Sequence, residues 1–140
     1  MAFQSFPKPR PAIFERHEKR TMLRSHEATE KAKVRHRDGP KCRWPRCEFA
    51  AMKPRLEVAH LDAKGMGGDK QRLRTRADRM IHLCHLHHQG PVSLHSGDLK
   101  IQPQTANGTD GPCDFYALDG MGRWALNASE TRIGISEPRA

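Results

Sequence analysis

Long apolar segments and aromatic side chains are scarce in this chain of 140 residues, of which 36% are hydrophobic and 6% aromatic. No apolar run approaches the roughly 18 residues that a membrane-spanning helix needs. The first ten residues also lack the apolar region of a secretory signal peptide. These absences predict a cytoplasmic protein with no membrane partner and a core of modest size, of the kind that a bound metal often stabilises.

Cysteine is limited to four residues, and three of them have the spacing of metal ligands. In a reducing compartment, closely spaced cysteines are interpreted better as ligands than as disulfides. Four residues separate Cys42 from Cys47, and two separate Cys84 from His87. Zinc prefers four tetrahedral thiolate or imidazole ligands, and paired ligands at such spacing suit a tight turn. We therefore predict a structural Zn²⁺ at Cys42, Cys47, Cys84 and His87.

Two alternatives to this ligand set stay open at the level of sequence. His85 or His88 could replace His87 as the fourth ligand, because all three lie within one short segment. The cysteines could also be unrelated buried residues, with the histidines on the surface. Cys113 falls outside the pattern and is expected to be a small core residue.

Acidic residues are outnumbered by basic ones, since 16 Asp and Glu face 25 Lys and Arg for a net charge of +9. Between residues 8 and 46 there are 13 basic and 5 acidic residues. A second basic cluster follows at Lys70, Arg72, Arg74, Arg76 and Arg79. Charge runs are often only solvated helix faces, but beside a metal-ligand cluster they favour a nucleic-acid partner.

Glycine and proline divide the chain into predicted elements. Neither residue occurs between positions 12 and 37, where helix formers are frequent, so we predict a basic and largely exposed helix there. Short apolar runs predict strands at 56–61 and 80–84, separated by a glycine-rich loop at 63–69. The remaining predicted segments are a flexible arm at 1–11, a helix start at 85–89, and strands at 99–101, 115–118, 123–127 and 131–135.

Two histidines outside the predicted zinc set stand at the end of the first predicted strand and directly after the second ligand pair: His60 and His88. This order of strand, histidine, glycine-rich loop, strand, zinc pair and histidine resembles the HNH endonucleases of the ββα-metal type. It is similar to the zinc-stapled members often carried by bacteriophages. The resemblance covers about residues 34–97, including the lead-in Val34-Arg35-His36-Arg37-Asp38-Gly39-Pro40-Lys41-Cys42.

The resemblance implies separate roles for the two histidines. His60 would be the general base that takes a proton from the attacking water, which a histidine of ordinary pKa can do at neutral pH. His88 would bind a catalytic divalent cation, Mg²⁺ or another, that stabilises charge on the phosphoryl group. Alternatively, His60 is a partly buried histidine with a satisfied hydrogen bond, and His88 is a surface residue.

Two positions depart from the family's pattern. Ala59 stands where an Asp or His often helps to bind the cation, and Arg79 stands where an Asn orients the base histidine. We expect Asp78 or backbone groups to take over the role of the Asn. The missing cation ligand is expected from among Asp62, His95, Asp98 and water.

The sequence therefore predicts an α+β fold: a small ββα-metal (HNH) domain with a structural zinc, an N-terminal basic helix and a short C-terminal β extension. The predicted segments are 1–37 for the basic arm and helix, 38–101 for the nuclease core and 102–140 for the β-rich extension. The predicted compartment is the cytoplasm of a bacterium or of a phage-infected host.

The predicted function is metal-dependent endonucleolytic cleavage of DNA, double-stranded and with little sequence specificity. One alternative is a zinc-stabilised DNA-binding module without activity, which the residues at positions 59 and 79 make plausible. Another is a nuclease subunit of a phage packaging or restriction machine that needs a partner to cut. An RNA target is a weaker variant, because the sequence offers no evident aromatic stacking platform.

Overall fold

The computed structural model describes residues 12–62 and 74–130. In this part of the chain the protein is a small α+β structure with one long helix, one short helix and two antiparallel sheets. The helices and strands are α1 (Ala12–Asp38), β1 (Leu56–His60), β2 (Met80–Cys84), α2 (His85–Gln89), β3 (Leu99–Pro103), β4 (Cys113–Leu118) and β5 (Trp124–Ser129). Short 3-10 turns lie at Ala50–Met52, Ala77–Arg79 and Gly108–Asp110.

Helix α1 confirms the predicted basic helix, and its C-terminus confirms the predicted stop. Gly39 adopts a left-handed φ of 74°, which glycine reaches without steric cost, and its amide bonds back to the carbonyl of Arg35 at 3.0 Å. Among the side chains of α1 whose burial the structure describes, only Val34 is fully buried. Most of α1 is exposed, as the sparse apolar positions predict. Neither helix of the described residues is both long and apolar enough to cross a membrane.

Strands β1 and β2 form a two-stranded antiparallel sheet in which Leu56 pairs with Cys84 and His60 with Met80. Because successive side chains of a strand alternate between its faces, the sheet buries two different surfaces. One face packs Val58 and Met80 against Val34 of α1. The other face contributes a larger cluster that contains Trp44, Ala59, Ile81, Leu83, Leu99, Ile101, Cys113 and Phe115. Helix α2 begins directly after β2, so the order is strand, strand, helix.

The C-terminal sheet has the order β3–β4–β5 and is antiparallel throughout. Leu99, Ile101 and Phe115 attach it to the larger cluster, so one core serves both sheets. Cys113 is fully buried there, as predicted. The strands predicted at 99–101, 115–118 and 123–127 are present, with bounds that differ by one or two residues. The predicted arm at 1–11, loop at 63–69 and strand at 131–135 lie outside the described residues.

A buried ionic network joins α1 to the hairpin and to the C-terminal sheet. The carboxylate of Asp38, 2% exposed, accepts hydrogen bonds from Arg37 at 2.6 Å, Arg43 at 3.2 Å and the amide of His82 at 2.9 Å. Arg37 also donates to the hydroxyl of the fully buried Thr109 at 3.0 Å. Two cations and the carboxylate of Asp38 are thus held between elements that the chain separates by up to 72 residues.

We expect Asp38→Asn to lower the free energy of unfolding by about 3–5 kcal/mol, because two largely buried guanidinium groups lose their shared counter-charge. Urea unfolding of the metal-loaded proteins measures this effect.

The matched control is Asp114→Asn, whose carboxylate accepts an exposed hydrogen bond from Gln104. It should change the free energy of unfolding by no more than about 0.5 kcal/mol. Equal effects of the two substitutions would show that the Asp38 network contributes no more than a surface contact.

Candidate metal centre and histidine sites

The four predicted zinc ligands come from three separate parts of the fold. Cys42 and Cys47 lie on the loop that follows α1, Cys84 is the last residue of β2, and His87 lies on α2. A left-handed φ of 54° at Arg46 turns the loop just before Cys47. The Cys84 sulfur accepts a hydrogen bond from the His87 amide at 3.4 Å, which caps α2. These local turns direct the four side chains towards one point.

The ligand atoms have the separations of a tetrahedral metal site. Zinc–sulfur and zinc–nitrogen bonds of about 2.3 and 2.0 Å imply about 3.8 Å between two sulfurs and about 3.5 Å between sulfur and nitrogen. The Sγ atoms of Cys47 and Cys84 are 3.9 Å apart. The His87 Nδ1 atom lies 3.4, 3.6 and 3.3 Å from the Sγ atoms of Cys42, Cys47 and Cys84. The four residues lie close enough to hold one metal ion and are compatible with a structural zinc.

The structure selects His87 from the three candidate histidines and fixes its ring. Its Nδ1 atom faces the sulfurs, and its Nε2 atom lies 3.3 Å from a Glu48 carboxylate oxygen. A carboxylate on the second ring nitrogen is the usual support for a metal-binding histidine. The Trp44 ring stacks on His87 with centroids 5.2 Å apart, and Trp44 also meets Phe115 edge-on at 5.2 Å. The ligand set is therefore continuous with the hydrophobic core.

Burial of the ligand side chains acts against their ionisation. It raises the pKa of the Cys42 thiol to about 12, raises that of Cys47 and lowers that of His87. These shifts favour neutral thiols at Cys42 and Cys47 beside a neutral His87 imidazole. A bound cation is what stabilises thiolates at such a site, so metal binding and thiol deprotonation are coupled.

His60 lies at the end of β1 against helix α1. Its Nε2 atom is 3.5 Å from a carboxylate oxygen of Glu27, and the His60 side chain is 19% exposed. Glu27 also pairs with Lys31 at 2.9 Å. His60 therefore lies beside a carboxylate that α1 supplies, at the end of the hairpin where residues 61–79 connect the two strands.

His88 lies on α2 and contacts the opposite face of the hairpin from His60. Its Nδ1 atom is 2.7 Å from a carboxylate oxygen of Glu57, whose other oxygen lies 3.0 Å from His85 and 2.6 Å from Arg55. Burial alone would raise the pKa of Glu57, but hydrogen bonds from His88, His85 and Arg55 lower it to about 2. Glu57 is thus an ionised carboxylate that orients an imidazole.

The residues predicted to replace missing family groups have partners of their own. Asp62, a candidate cation ligand, forms an ion pair with Arg79 at 2.5 Å. Arg79 is the residue at the position where the HNH pattern has an Asn. Asp78 pairs with Arg76 at 2.8 Å, while its Oδ1 atom is buried and without a hydrogen-bond partner among the described residues. His95 is exposed, and its amide bonds to the His88 carbonyl at 3.0 Å. Their proposed roles stay predictions.

The contact between Glu57 and His88 was missed by sequence reasoning. Ala59 is fully buried in the core and offers no ligand atom. Glu57 stands two residues earlier, which places it on the same face of β1 as Ala59. The available signal in the sequence was the Glu57 carboxylate, two residues before a position that offers no ligand atom. It could not be interpreted until the position of α2 beside β1 was known.

No protein-family model, curated protein or solved structure matches this chain. The functional interpretation therefore depends on the residues and their geometry.

We expect the purified protein to hold one zinc ion per chain and to lose it in Cys47→Ser, because three ligands cannot complete the tetrahedron. Removing the ion should also abolish cooperative thermal unfolding, since the site joins three separate segments. Elemental analysis and a thermal melt with and without chelator test both effects. Cys113→Ala is the control, because Cys113 is buried away from the ligand set. Full zinc content in Cys47→Ser would contradict the assignment.

The pKa of Glu57 predicts a specific acid response. Its value of about 2 is below the ordinary 4.5, so its contacts stabilise the fold above about pH 4.5 and lose this effect as pH falls towards 2. Glu57→Gln should lower the urea midpoint at pH 7 and differ less from wild type at pH 3. Zinc content is measured at each pH, because acid also protonates the cysteine ligands. An equal difference at both pH values would contradict the assigned shift.

Proposed function

We propose that the protein is a metal-dependent endonuclease that hydrolyses phosphodiester bonds of DNA. The observation that carries this proposal is the β1–β2–α2 unit, with the Cys₃His set at its base and a histidine on each face of the hairpin. That arrangement is what the resemblance to the HNH endonucleases implies. The Cys₃His set is a structural zinc site in this proposal, because four protein ligands leave zinc no open position for chemistry.

His60 is the general base of the proposed reaction. A histidine accepts a proton from water at neutral pH when its pKa lies near the ordinary value. The Glu27 carboxylate at 3.5 Å would stabilise the imidazolium that forms after proton transfer. Helix α1 would therefore support the base directly, in addition to any contact with DNA.

His88 would hold the catalytic cation through its other ring nitrogen, Nε2. Its Nδ1 atom lies 2.7 Å from a Glu57 carboxylate oxygen, which is a hydrogen-bond distance. Glu57 would therefore orient the ring, as carboxylates do for metal-binding histidines. When bound, a divalent cation supplies stabilisation of negative charge on the phosphoryl group and on the leaving oxygen.

The two faces of the hairpin suit the geometry of phosphodiester cleavage. In the described residues β1 pairs with β2 alone, so its other edge is open. At about 3.3 Å per residue, Glu57 and His60 lie about 10 Å apart along the strand and point to opposite faces. A phosphodiester at this open edge would have the base on one side and the cation site on the other.

The basic residues supply the proposed contacts to DNA. Helix α1 exposes Arg16, Lys19, Arg20 and Arg24 along the half that lies farthest from the hairpin. Arg76 and Arg79 lie just before β2, close to His60 at the same end of the sheet. Contacts of this kind bind backbone phosphates and position a duplex without reading its sequence. Lys70 and Arg72 lie outside the described residues.

A DNA-binding module without activity is the second candidate. The observation in its favour concerns the two residues that depart from the HNH pattern. Ala59 is fully buried and has no side-chain atom that could bind a cation, and Arg79 forms an ion pair with Asp62. Such a protein would bind DNA through the same basic residues and cleave nothing.

We expect plasmid nicking by the zinc-loaded protein to require added Mg²⁺, Mn²⁺ or Ni²⁺. Nicking should fall by roughly 10²-fold or more in His60→Ala, because the general base is lost. His88→Ala and Glu57→Gln should raise the cation concentration needed for half-maximal activity. Zinc content and thermal unfolding are measured for every variant, so that lost activity is separated from lost folding.

The control is Met121→Ala, since Met121 is exposed in the turn between β4 and β5 and belongs to none of the proposed sites. It should nick at the wild-type rate, and nicking that persists in folded His60→Ala would refute the assignment of the base. A folded wild type that binds DNA but never nicks it would leave the inactive binding module.

A further inference from the structure

A cleft of about 760 Å³ lies between the Cys42–Cys47 loop and the start of β1. Three exposed cations lie around it: Lys41, Arg46 and Lys53. Lys41 precedes the predicted zinc-binding loop, Arg46 lies within it, and Lys53 follows the 3-10 turn at Ala50–Met52. We call this feature the knuckle cleft. It is separate from the histidines, which lie farther along β1 and on α2.

The positive charge of the knuckle cleft is not neutralised by the described residues. Arg37 and Arg43 also line it, but both are already paired with carboxylates, including those of Asp38 and Glu130. Lys41, Arg46 and Lys53 have no carboxylate within ion-pair distance among the described residues. The cleft is lined by five cations and three carboxylates, so it presents an excess of two positive charges, and its three unpaired cations favour an anionic ligand.

The backbone holds two of these cations in an uncommon conformation. Arg46 and Lys53, with φ of 54° and 47°, are the only residues other than glycine with positive φ in the described ranges. A left-handed conformation costs a residue with a side chain roughly 1–2 kcal/mol, and glycine or asparagine would occupy it at lower cost. At both positions the chain carries a cation instead, and both side chains lie at the same cleft.

We propose that the knuckle cleft binds the phosphodiester backbone of duplex DNA, as a contact surface additional to α1 and the arginines before β2. Leu56 lines the cleft and His60 ends the same strand, so the two are about 13 Å apart along β1. That distance is the axial rise of about four nucleotides. A duplex held at the cleft would therefore have another of its phosphates beside His60. This inference rests on the DNA-binding part of the proposed function and not on cleavage.

The test removes the three charges together in Lys41→Gln, Arg46→Gln and Lys53→Gln. Binding to a labelled duplex of about 30 base pairs is measured by fluorescence anisotropy over a range of salt, without added divalent cation. Each lost phosphate contact reduces the magnitude of the negative slope of log K against log salt by about 0.9, so we expect the magnitude to fall by about 2–3. The corresponding rise in Kd at about 0.1 M salt is roughly two orders of magnitude.

Lys100→Gln with Arg123→Gln is the control for general loss of charge, because both cations lie on the C-terminal sheet and have partners there. Its slope should match wild type. An unchanged slope in the folded, zinc-loaded triple variant overturns the inference even if the protein cleaves DNA. A wild type that binds no duplex overturns it together with the DNA-binding part of the proposed function. A reduced slope in a protein that never cleaves supports the inference and refutes the endonuclease.

Discussion

The tetrahedral convergence of Cys42, Cys47, Cys84 and His87 is the constraint on which the rest of this structure depends. A chain with 36% hydrophobic residues has little apolar surface to hold a loop, a hairpin and a short helix in register. The ligand set holds all three at one point, and Trp44 links it to the core because its ring packs on both His87 and Phe115. The buried carboxylate of Asp38 has a corresponding role at the C-terminus of α1, which it fixes to the hairpin.

These two fixed points determine where the functional side chains lie. Because α2 is held at Cys84 and His87, the next histidine along it meets Glu57 on one face of β1. Because α1 is held at Asp38, Glu27 meets His60 on the other face. The proposed chemistry uses neither fixed point directly. In the proposed function, structural support is therefore separate from the reactive groups.

Most of the fold could be predicted because its signals are local. The strands are short apolar runs bounded by proline or glycine, and α1 ends where Gly39 allows a left-handed turn. The metal-ligand set, including His87, was predictable from spacing. Spacing left His85 and His88 open as alternatives, because excluding them depends on the direction in which α2 leaves β2. The contacts of Glu57 with His88 and of His60 with Glu27 depend on packing between elements distant in sequence, which no local pattern records.

The central claim is that one metal holds the fold and a second serves the chemistry at a separate place. Crystals of the protein with duplex DNA and Mn²⁺, measured at the zinc and manganese absorption edges, test it most directly. We expect zinc among Cys42, Cys47, Cys84 and His87, and manganese at His88 with a phosphate at the edge of β1. Manganese that is absent from His88, or found only in the cysteine site, would contradict the claim.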